Sequence, residues 1–324
     1  MWKYILKRIL IMIPMMIAVT FIIYALVSLS SVDPTRLILG PEATEVEIAA
    51  LRESLHLDDN LIVRYLLWLK DAVHGDFGDS WYYTGPAFDY ILARWPNTIL
   101  LTLLSMAIAM LIGIPLGVLS AVKQYSLADR VLTTLSMVLA AIPTFCIATI
   151  FVIVFSLNLK LVPASGVTEG WRSWILPALT LGISYSAQFL RFTRSNMLET
   201  IRMDYIRTIR SKGVAERDTI WKHAFRNTLI PLITISGTTL GQLLGGAVIM
   251  EAVFVIPGLG TLVLNAINQY DVPIVMGAVS MLAFTFMVIM LAVDLLYAVV
   301  DPRMRARYGV RKKKSSVKGG VTVG

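Results

Sequence analysis

Six long apolar runs are the feature that most constrains what this chain can fold into. Each has at least about 18 mainly apolar residues, enough for a helix to cross a hydrocarbon core roughly 30 Å thick. Backbone amides in lipid must be satisfied within their own segment, which favours helices. We therefore predict an all-α integral membrane protein with six transmembrane helices, over residues 9–29, 98–121, 132–157, 174–192, 229–254 and 272–300.

Composition supports this prediction, although two runs are less clear than the others. The chain is 56% hydrophobic and 15% charged, whereas soluble domains average about half apolar and a quarter charged. The leader "MWKYILKR" before the first run also fits a signal peptide. A signal core usually has about 7–15 apolar residues, so the longer run favours a retained helix. The fourth run is the weakest, because Ser184, Tyr185, Ser186 and Gln188 dilute it.

The basic residues predict the topology. They collect before the first run, between the second and third, between the fourth and fifth, and in the tail, which places both termini in the cytoplasm. The net charge of +8 on this face suits membrane lipid or an acidic partner, and not nucleic acid. We divide the chain into the N-terminus with the first helix (1–30), an external loop (31–96), helices two to six (97–303) and a basic cytoplasmic tail (304–324).

The external loop has the signals of ordered helices. Thr44 is placed to cap a helix with Glu47 as its capping-box partner, and a second helix is predicted over Leu61–Val73. The loop is either a solvated cap over the outer mouth or a docking surface for an external partner.

The sequence predicts no catalytic, cofactor or metal site. Its three histidines fall on opposite sides of the membrane, which supports neither a metal site nor a catalytic triad. "GQLLGG" at 241–246 has the spacing of a phosphate loop, but Ala247 and Val248 follow where Lys and Ser or Thr are required. We expect a chain that is not an enzyme and binds no ATP. Asp294, the main ionisable residue inside a run, is either a structural ion-pair partner or a functional acid.

Small and polar residues in the fourth and fifth runs suggest two further roles. Gly237, Gly241 and Gly245 recur every four residues, which predicts a helix face for close packing. Polar side chains either line a translocation path or hydrogen-bond between helices; they are Ser184, Gln188, Thr238, Thr239 and Gln242.

The charged run "DYIRTIRSKGVAERDTIWKHAFRNTLIP", 204–231, predicts a helix, a sharp turn and a second helix on the cytoplasmic face. Ile201, Tyr205 and Ile209 form one helical stripe, and Gly213 suits a left-handed residue that ends the first helix. The second helix is expected to reach Pro231, where the next span begins. The pair is either a head-group anchor or a rigid lever that a partner moves.

Several strings together resemble one family. "RTIRSKG", "HAFRN" and "LIP" in the basic run resemble the cytoplasmic EAA loop of ATP-binding-cassette (ABC) importer permeases of the dipeptide/oligopeptide/nickel family. "RYLLWLKDAVHGDFGDS", "EAVFVIPGLGTLVLNAINQYDVPIV" and "DLLYAVVDPRMR" extend the resemblance over nearly the whole chain. The long first external loop is similar to the first of two paired permease subunits, the oligopeptide/dipeptide type B. Arg207, Thr208 and Ile209 stand where the loop's name has Glu-Ala-Ala.

The resemblance implies a type I ABC importer permease fold in a bacterial or archaeal cell membrane. It also implies a coupling (EAA) loop over 194–228 that contacts an ATPase subunit through Tyr205, Arg207, Thr208, Arg210, Lys212 and Gly213. Expected partners are a second permease, two ATPase subunits that hold ATP and Mg²⁺, and an external substrate-binding protein. Peptides are the expected substrates, with nickel, glutathione or oligosaccharides as alternatives within the family. An ATP-independent secondary transporter or channel is the alternative of a different class.

Overall fold

The computed structural model describes residues 2–29 and 34–300, and helices dominate that part of the chain. Their bounds are α1 Trp2–Ser28, α2 Pro34–Leu39, α3 Glu45–Ser54, α4 Leu61–Val73, α5 Ala87–Val122, α6 Leu127–Ala141, α7 Thr144–Phe151, α8 Ile175–Ile201, α9 Asp204–Ser211, α10 Glu216–Asp218, α11 Phe225–Val253, α12 Leu259–Asn268 and α13 Val272–Val300. Two π-helical segments, Val152–Asn158 and Thr219–Ala224, and a 3₁₀ turn, Gly170–Trp174, complete the set. The predicted basic tail, 304–324, lies outside the described residues.

Four helices of the described part are long and apolar enough to cross a membrane. They are Ile5–Ser28, Ala87–Val122, Glu216–Val253 and Val272–Leu296, and they correspond to the predicted first, second, fifth and sixth spans. Helix α8 occupies the predicted fourth position with 27 residues but is more polar than these four. Its side chains Leu181, Phe189 and Met197 are fully buried. Polar residues are tolerated in α8 because it packs among protein helices rather than lipid.

The prediction of one continuous third helix over 132–157 is wrong. Helices α6 and α7, with the π segment after α7, bend by 100° at a short break. Ile142 there is extended, with ψ of 126°, and Pro143 begins the next turn. Proline lacks an N–H group and disfavours a helical residue before it, so the helix ends at this point.

Two other helix boundaries also differ from the prediction. Helix α5 begins at Ala87 and continues through Pro96 and Pro115 to Val122, so it has 36 residues rather than starting beyond Pro96. On the cytoplasmic side, Glu216–Val253 forms one helix of 38 residues. Pro231 lies inside α11 instead of separating a surface helix from a span. The second arm of the basic run is therefore continuous with the fifth span.

Helices α5 and α8 form the close-packed centre. A Cβ atom at Gly113 would lie 2.5 Å from the Ser186 carbonyl oxygen, and one at Gly117 would lie 2.6 Å from Thr193 Cβ. Gly182 on α8 shows the same relationship in reverse, since its Cβ would lie 2.5 Å from a methyl group of Ile108. Only glycine permits these backbones to approach so closely.

The external loop is helical, as predicted. Thr44 Oγ1 accepts a hydrogen bond from Glu47 N, and Thr44 N donates to Glu47 Oε2 at 2.9 Å, which confirms the capping box. The hydrogen bond from the Thr44 backbone holds the pKa of Glu47 below its ordinary value. Helix α4 has the predicted bounds, Leu61–Val73.

Candidate functional site

The cytoplasmic corner between α9 and α10 has the predicted shape. Helix α9 ends at Ser211, Lys212 caps it, and Gly213 adopts a left-handed conformation with φ of +78°. A Cβ atom at Gly213 would meet no heavy atom within 4 Å. The requirement for glycine is therefore conformational rather than a matter of space. Ala215 begins the next turn without a side-chain cap.

One side of α9 fastens this corner to the membrane helices. Ile206 is fully buried in a cluster that includes Val118 of α5, Met197 of α8, and Ile220 and Ala224 of the π segment. Tyr205 is half-buried and accepts a hydrogen bond from the Asn227 amide at 2.5 Å. Because α9 contacts three spanning elements at once, a force on α9 acts on all of them.

The remaining surface of α9 is exposed. Among the residues predicted to contact an ATPase subunit, four are exposed side chains at this corner: Arg207, Thr208, Arg210 and Lys212. Three of these carry a positive charge, so the outer side of α9 is a basic surface. We call this set of four residues the basic surface of α9.

Arg210 also has a partner within this chain. Its Nε and Nη2 atoms donate to Glu216 Oε2 and Oε1 at 3.0 and 2.6 Å, which joins α9 to α10 across the corner. The hydrogen bond to the Glu216 carboxylate raises the pKa of the Arg210 guanidinium above its ordinary value. Arg210 therefore holds the corner together as well as adding to its charge.

An open groove runs beside the corner. One part, of about 300 Å³, lies between Pro115, Val118, Leu119 and Val122 of α5 and the segment Glu216–Trp221. A second part, of about 440 Å³, is lined by Arg217, Asp218, Trp221 and Lys222. The corner thus offers a partner both an apolar and a charged surface.

The five predicted path residues do not share one environment. Thr238 is exposed on α11, Ser184 and Gln188 are half-exposed on α8, and Thr239 is fully buried; Gln242 is exposed on the same face of α11 as Thr238. Ser184 and Thr238 hydrogen-bond to carbonyls of their own helices, at 2.8 and 2.9 Å from Thr180 O and Ile235 O. These intrahelical bonds differ from the interhelical bonds that the sequence suggested as an alternative.

Thr239 faces the protein interior, where its hydroxyl has no hydrogen-bond partner among the described residues. The exposed residues of α11, such as Thr234, Thr238, Gln242 and Ile249, follow one helical face. This face, which includes Thr238 and Gln242, is uncovered within this chain, and its role in a translocation path stays a prediction.

The three glycines of α11 that were predicted as a packing face have different surroundings. A Cβ at Gly237 would lie 3.0 Å from Val293 Cγ1, and one at Gly241 would lie 2.4 Å from the Phe286 ring, so both glycines allow α11 to pack on α13. A Cβ at Gly245 would meet no heavy atom of the described residues within 4 Å, and this glycine is exposed. A packing role for Gly245 would require another chain and stays a prediction.

Three buried carboxylates were not predicted from the sequence. Asp129 at the start of α6 accepts two hydrogen bonds from Arg194 of α8, at 2.7 and 2.9 Å. Glu251 near the end of α11 is fully buried and accepts from Thr98 of α5 and from Thr261 N. Asp271, also fully buried, accepts from Ser80 and from Trp81 N, which holds the external loop against the start of α13.

The positions of these carboxylates explain why they were not predicted. All three lie at or beside helix ends, where a carboxylate is ordinarily exposed, and their partners are distant in sequence. Asp294, the acid that the sequence did single out, pairs with Arg8 of α1 at 3.0 Å. This geometry agrees with a structural ion pair.

Two protein-family descriptions match this chain. Residues 113–306 match the family described as "Binding-protein-dependent transport system inner membrane component", and residues 1–102 match "Binding-prot-dependent transport system membrane comp, N-term". The chain belongs to this permease family. It is an ABC importer permease of the dipeptide/oligopeptide type, a multi-pass membrane protein that is not itself the ATPase.

The individual relatives of this chain are also named as permeases of a transport system. Over 305 residues the permease is 38% identical to the glutathione transport system permease protein GsiC of Salmonella choleraesuis (strain SC-B67), covering 94% of this chain and 99% of that protein. The GsiC protein of Escherichia coli (strain K12) is 36% identical over the same length.

A solved structure supports the fold. An inward-facing conformation of the MetNI methionine ABC transporter matches with a TM-score of 0.56 and 19% identity, covering 65% of this chain and 96% of that chain. The permease therefore has the type I importer fold. As an importer permease it acts with ATPase and substrate-binding partners.

Proposed function

We propose that this chain is one of two related permeases in an importer of short peptides, and that the basic surface of α9 contacts an ATPase subunit. The observation that carries the proposal is the position of α9. Its outer side is charged and exposed, whereas Ile206 on its inner side is locked among three membrane elements. Closure of a nucleotide-bound ATPase pair would then move α9, α5, α8 and α11 together as a rigid body.

The proposed assembly gives each partner a defined role. Two ATPase subunits bind ATP and Mg²⁺ and grip one permease each, and an external binding protein delivers substrate. The second permease meets the exposed face of α11 at Gly245 and supplies the other half of the path. Thr238 and Gln242 on that face would meet the substrate, and the chain itself binds no cofactor. The assembly lies in a bacterial or archaeal cell membrane.

Glutathione is the substrate that we test first, because the relatives that cover nearly the whole chain are named as glutathione transport permeases. It is a tripeptide, so it also falls within the broader proposal of short-peptide import. Dipeptides, longer peptides, nickel complexes and oligosaccharides remain alternatives within the family.

The test is uptake by the complete importer in proteoliposomes, with ATP on the ATPase side and loaded binding protein outside. Peptide uptake that requires both would support the proposal, and competition among glutathione, a dipeptide and a pentapeptide would define the substrate. Uptake of nickel or an oligosaccharide with no peptide competition would overturn the peptide assignment. Uptake by this chain alone, without an ATPase, would indicate a channel or secondary transporter instead.

A further inference from the structure

Helix α4 of the external loop contacts α1 well inside its apolar span. The Tyr65 hydroxyl donates to the carbonyl oxygen of Ile17 at 3.0 Å and lies 2.8 Å from Thr20 Oγ1. Tyr65 is buried, at 4% exposure, and packs edge-on against Phe21 and Tyr24. The contact surface on α1 thus runs from Ile17 to Tyr24.

The Arg8–Asp294 ion pair gives a depth scale for these contacts. A charged pair is costly inside hydrocarbon, so it marks the inner boundary of the apolar core. At about 1.5 Å per residue, Ile17 lies roughly 14 Å and Tyr24 roughly 24 Å beyond Arg8 along α1. Both distances are shorter than the roughly 30 Å thickness of a hydrocarbon core. The residues that hold α4 therefore lie between the middle of the membrane and its outer boundary.

Helix α13 gives a consistent depth from the opposite direction. Met276 is fully buried with Tyr24 and Tyr65 in one cluster. It lies 18 residues before Asp294, which is roughly 27 Å along the helix at about 1.5 Å per residue. The cluster is thus near the outer boundary of the core, where Tyr and Trp side chains are enriched in membrane proteins.

One side of α4, next to the side that packs on α1, is apolar and uncovered. Ile62, Leu66 and Val73 on this side are exposed by 57, 56 and 76%. On the face of α1 that α4 contacts, Ile13 and Ile17 are exposed by 53 and 42%, within the membrane span. The apolar surface of α4 is therefore continuous with the lipid-facing surface of α1.

We propose that α4 lies in the outer leaflet as an interfacial helix, with Ile62, Leu66 and Val73 among the lipid acyl chains. Interfacial amphipathic helices bury their apolar face roughly 5–10 Å into the membrane, and on the scale above Tyr24 lies roughly 6 Å below the outer boundary. Lys70 is also exposed on α4, and its long side chain can reach the head groups.

The external loop is then divided into two parts. Helix α4 is a membrane element, whereas α3, with exposed Glu45, Glu47 and Glu53, stays in solvent. The position of α4 in the leaflet is independent of which substrate the importer carries.

The test uses single cysteines in the complete importer, reconstituted in phosphatidylcholine vesicles. Cys146 is the only cysteine of the chain, so Cys146→Ala provides the background. An NBD fluorophore is attached to Leu66→Cys or Ile62→Cys on α4. Val46→Cys on α3, a valine exposed by 79%, is the solvent control, and Leu26→Cys on α1 is the lipid control. Quenching by doxyl-labelled lipids is compared with quenching by aqueous iodide.

We expect both α4 labels to be quenched by doxyl lipid within about twofold of the Leu26 label and to be at least about threefold less sensitive to iodide than the Val46 label. Iodide quenching equal to that of Val46 would overturn the proposal in favour of a solvated cap. Protection from both quenchers would also overturn it, because a protein partner would then cover α4. Using two α4 positions keeps the test valid if one variant does not assemble.

Discussion

Arg210 and Glu216 close the cytoplasmic corner from opposite sides of Gly213, through two hydrogen bonds of 3.0 and 2.6 Å. The corner is thus fixed twice, once by the left-handed backbone of Gly213 and once by this ion pair. A fixed corner matters because the α9 surface can transmit motion only if its angle to the membrane helices is maintained. The two restraints can be tested separately.

The first prediction concerns the backbone of Gly213. We expect Gly213→Val to misalign α9, because a left-handed conformation costs a residue with a Cβ about 1–2 kcal/mol, and a β-branched residue is at the upper end. Membrane levels should stay normal, but loaded binding protein should no longer stimulate ATP hydrolysis by the reconstituted complex. Gly213→Asn is the matched control, because asparagine tolerates this conformation, and it should keep most of the stimulation. Wild-type stimulation of the valine variant would mean that the basic run is only a head-group anchor.

The second prediction separates the two roles of Arg210. Arg210→Glu should abolish substrate stimulation of the ATPase, because it places two carboxylates at the corner. The exchange Arg210→Glu with Glu216→Arg restores the ion pair, and we expect it to recover at least about half of the stimulation. Arg207→Glu alters an exposed residue of the same surface that has no ion pair within the described residues, and it should reduce stimulation by weakening ATPase contact. Failure of the exchange to rescue would show that Arg210 acts on the ATPase directly.

The third prediction uses two glycines of α11. Gly241→Leu should destabilise this chain, because even a Cβ at Gly241 would lie 2.4 Å from the Phe286 ring. Overpacking of this kind typically costs about 1–3 kcal/mol, so the thermal midpoint of the purified complex should fall. Gly245→Leu should leave the chain folded but reduce co-purification of the second permease. An unchanged yield of the complex with Gly245→Leu would mean that this face does not meet another chain.

The fourth prediction concerns the Asp129–Arg194 pair between α6 and α8. The Asp129 side chain is only 4% exposed, and Asp129→Leu leaves Arg194 without its partner. Removal of one member of a buried pair costs about 3–5 kcal/mol, and the 25% exposure of Arg194 favours the lower end. We expect a lower thermal midpoint in detergent. Replacing both residues, by Asp129→Leu with Arg194→Met, should recover most of the loss; equal destabilisation by the single and double variants would contradict this account.

Local signals predicted the features that depend on short stretches of sequence. The Thr44–Glu47 capping box, helix Leu61–Val73 and the left-handed Gly213 all follow from residues within one or two turns of each other. The family could also be identified from the sequence, because strings such as "RTIRSKG" and "HAFRN" keep their order and spacing.

Features that depend on distant contacts could not be predicted in the same way. The sequence shows Glu251 only as a residue at a helix end, and the fold alone brings Thr98 to its carboxylate. The Arg210–Glu216 pair was not predicted for a different reason: a basic residue in a basic run suggests an external partner. The break at Pro143 has a local signal in the sequence, but the prediction rested on the length of the apolar run, which continues on both sides of the proline.

The unbroken helix from Glu216 to Val253 has a consequence for how movement reaches the outer side of the membrane. Its 38 residues form a helix roughly 57 Å long at about 1.5 Å per residue. If this helix tilts about its cytoplasmic end, its outer end moves by about 1 Å for each degree of tilt. Glu251 sits near that far end and is bonded to Thr98 and Thr261. A swing of a few degrees at the cytoplasmic end would therefore shift the outer junction of α5, α11 and α12 by more than the length of a hydrogen bond.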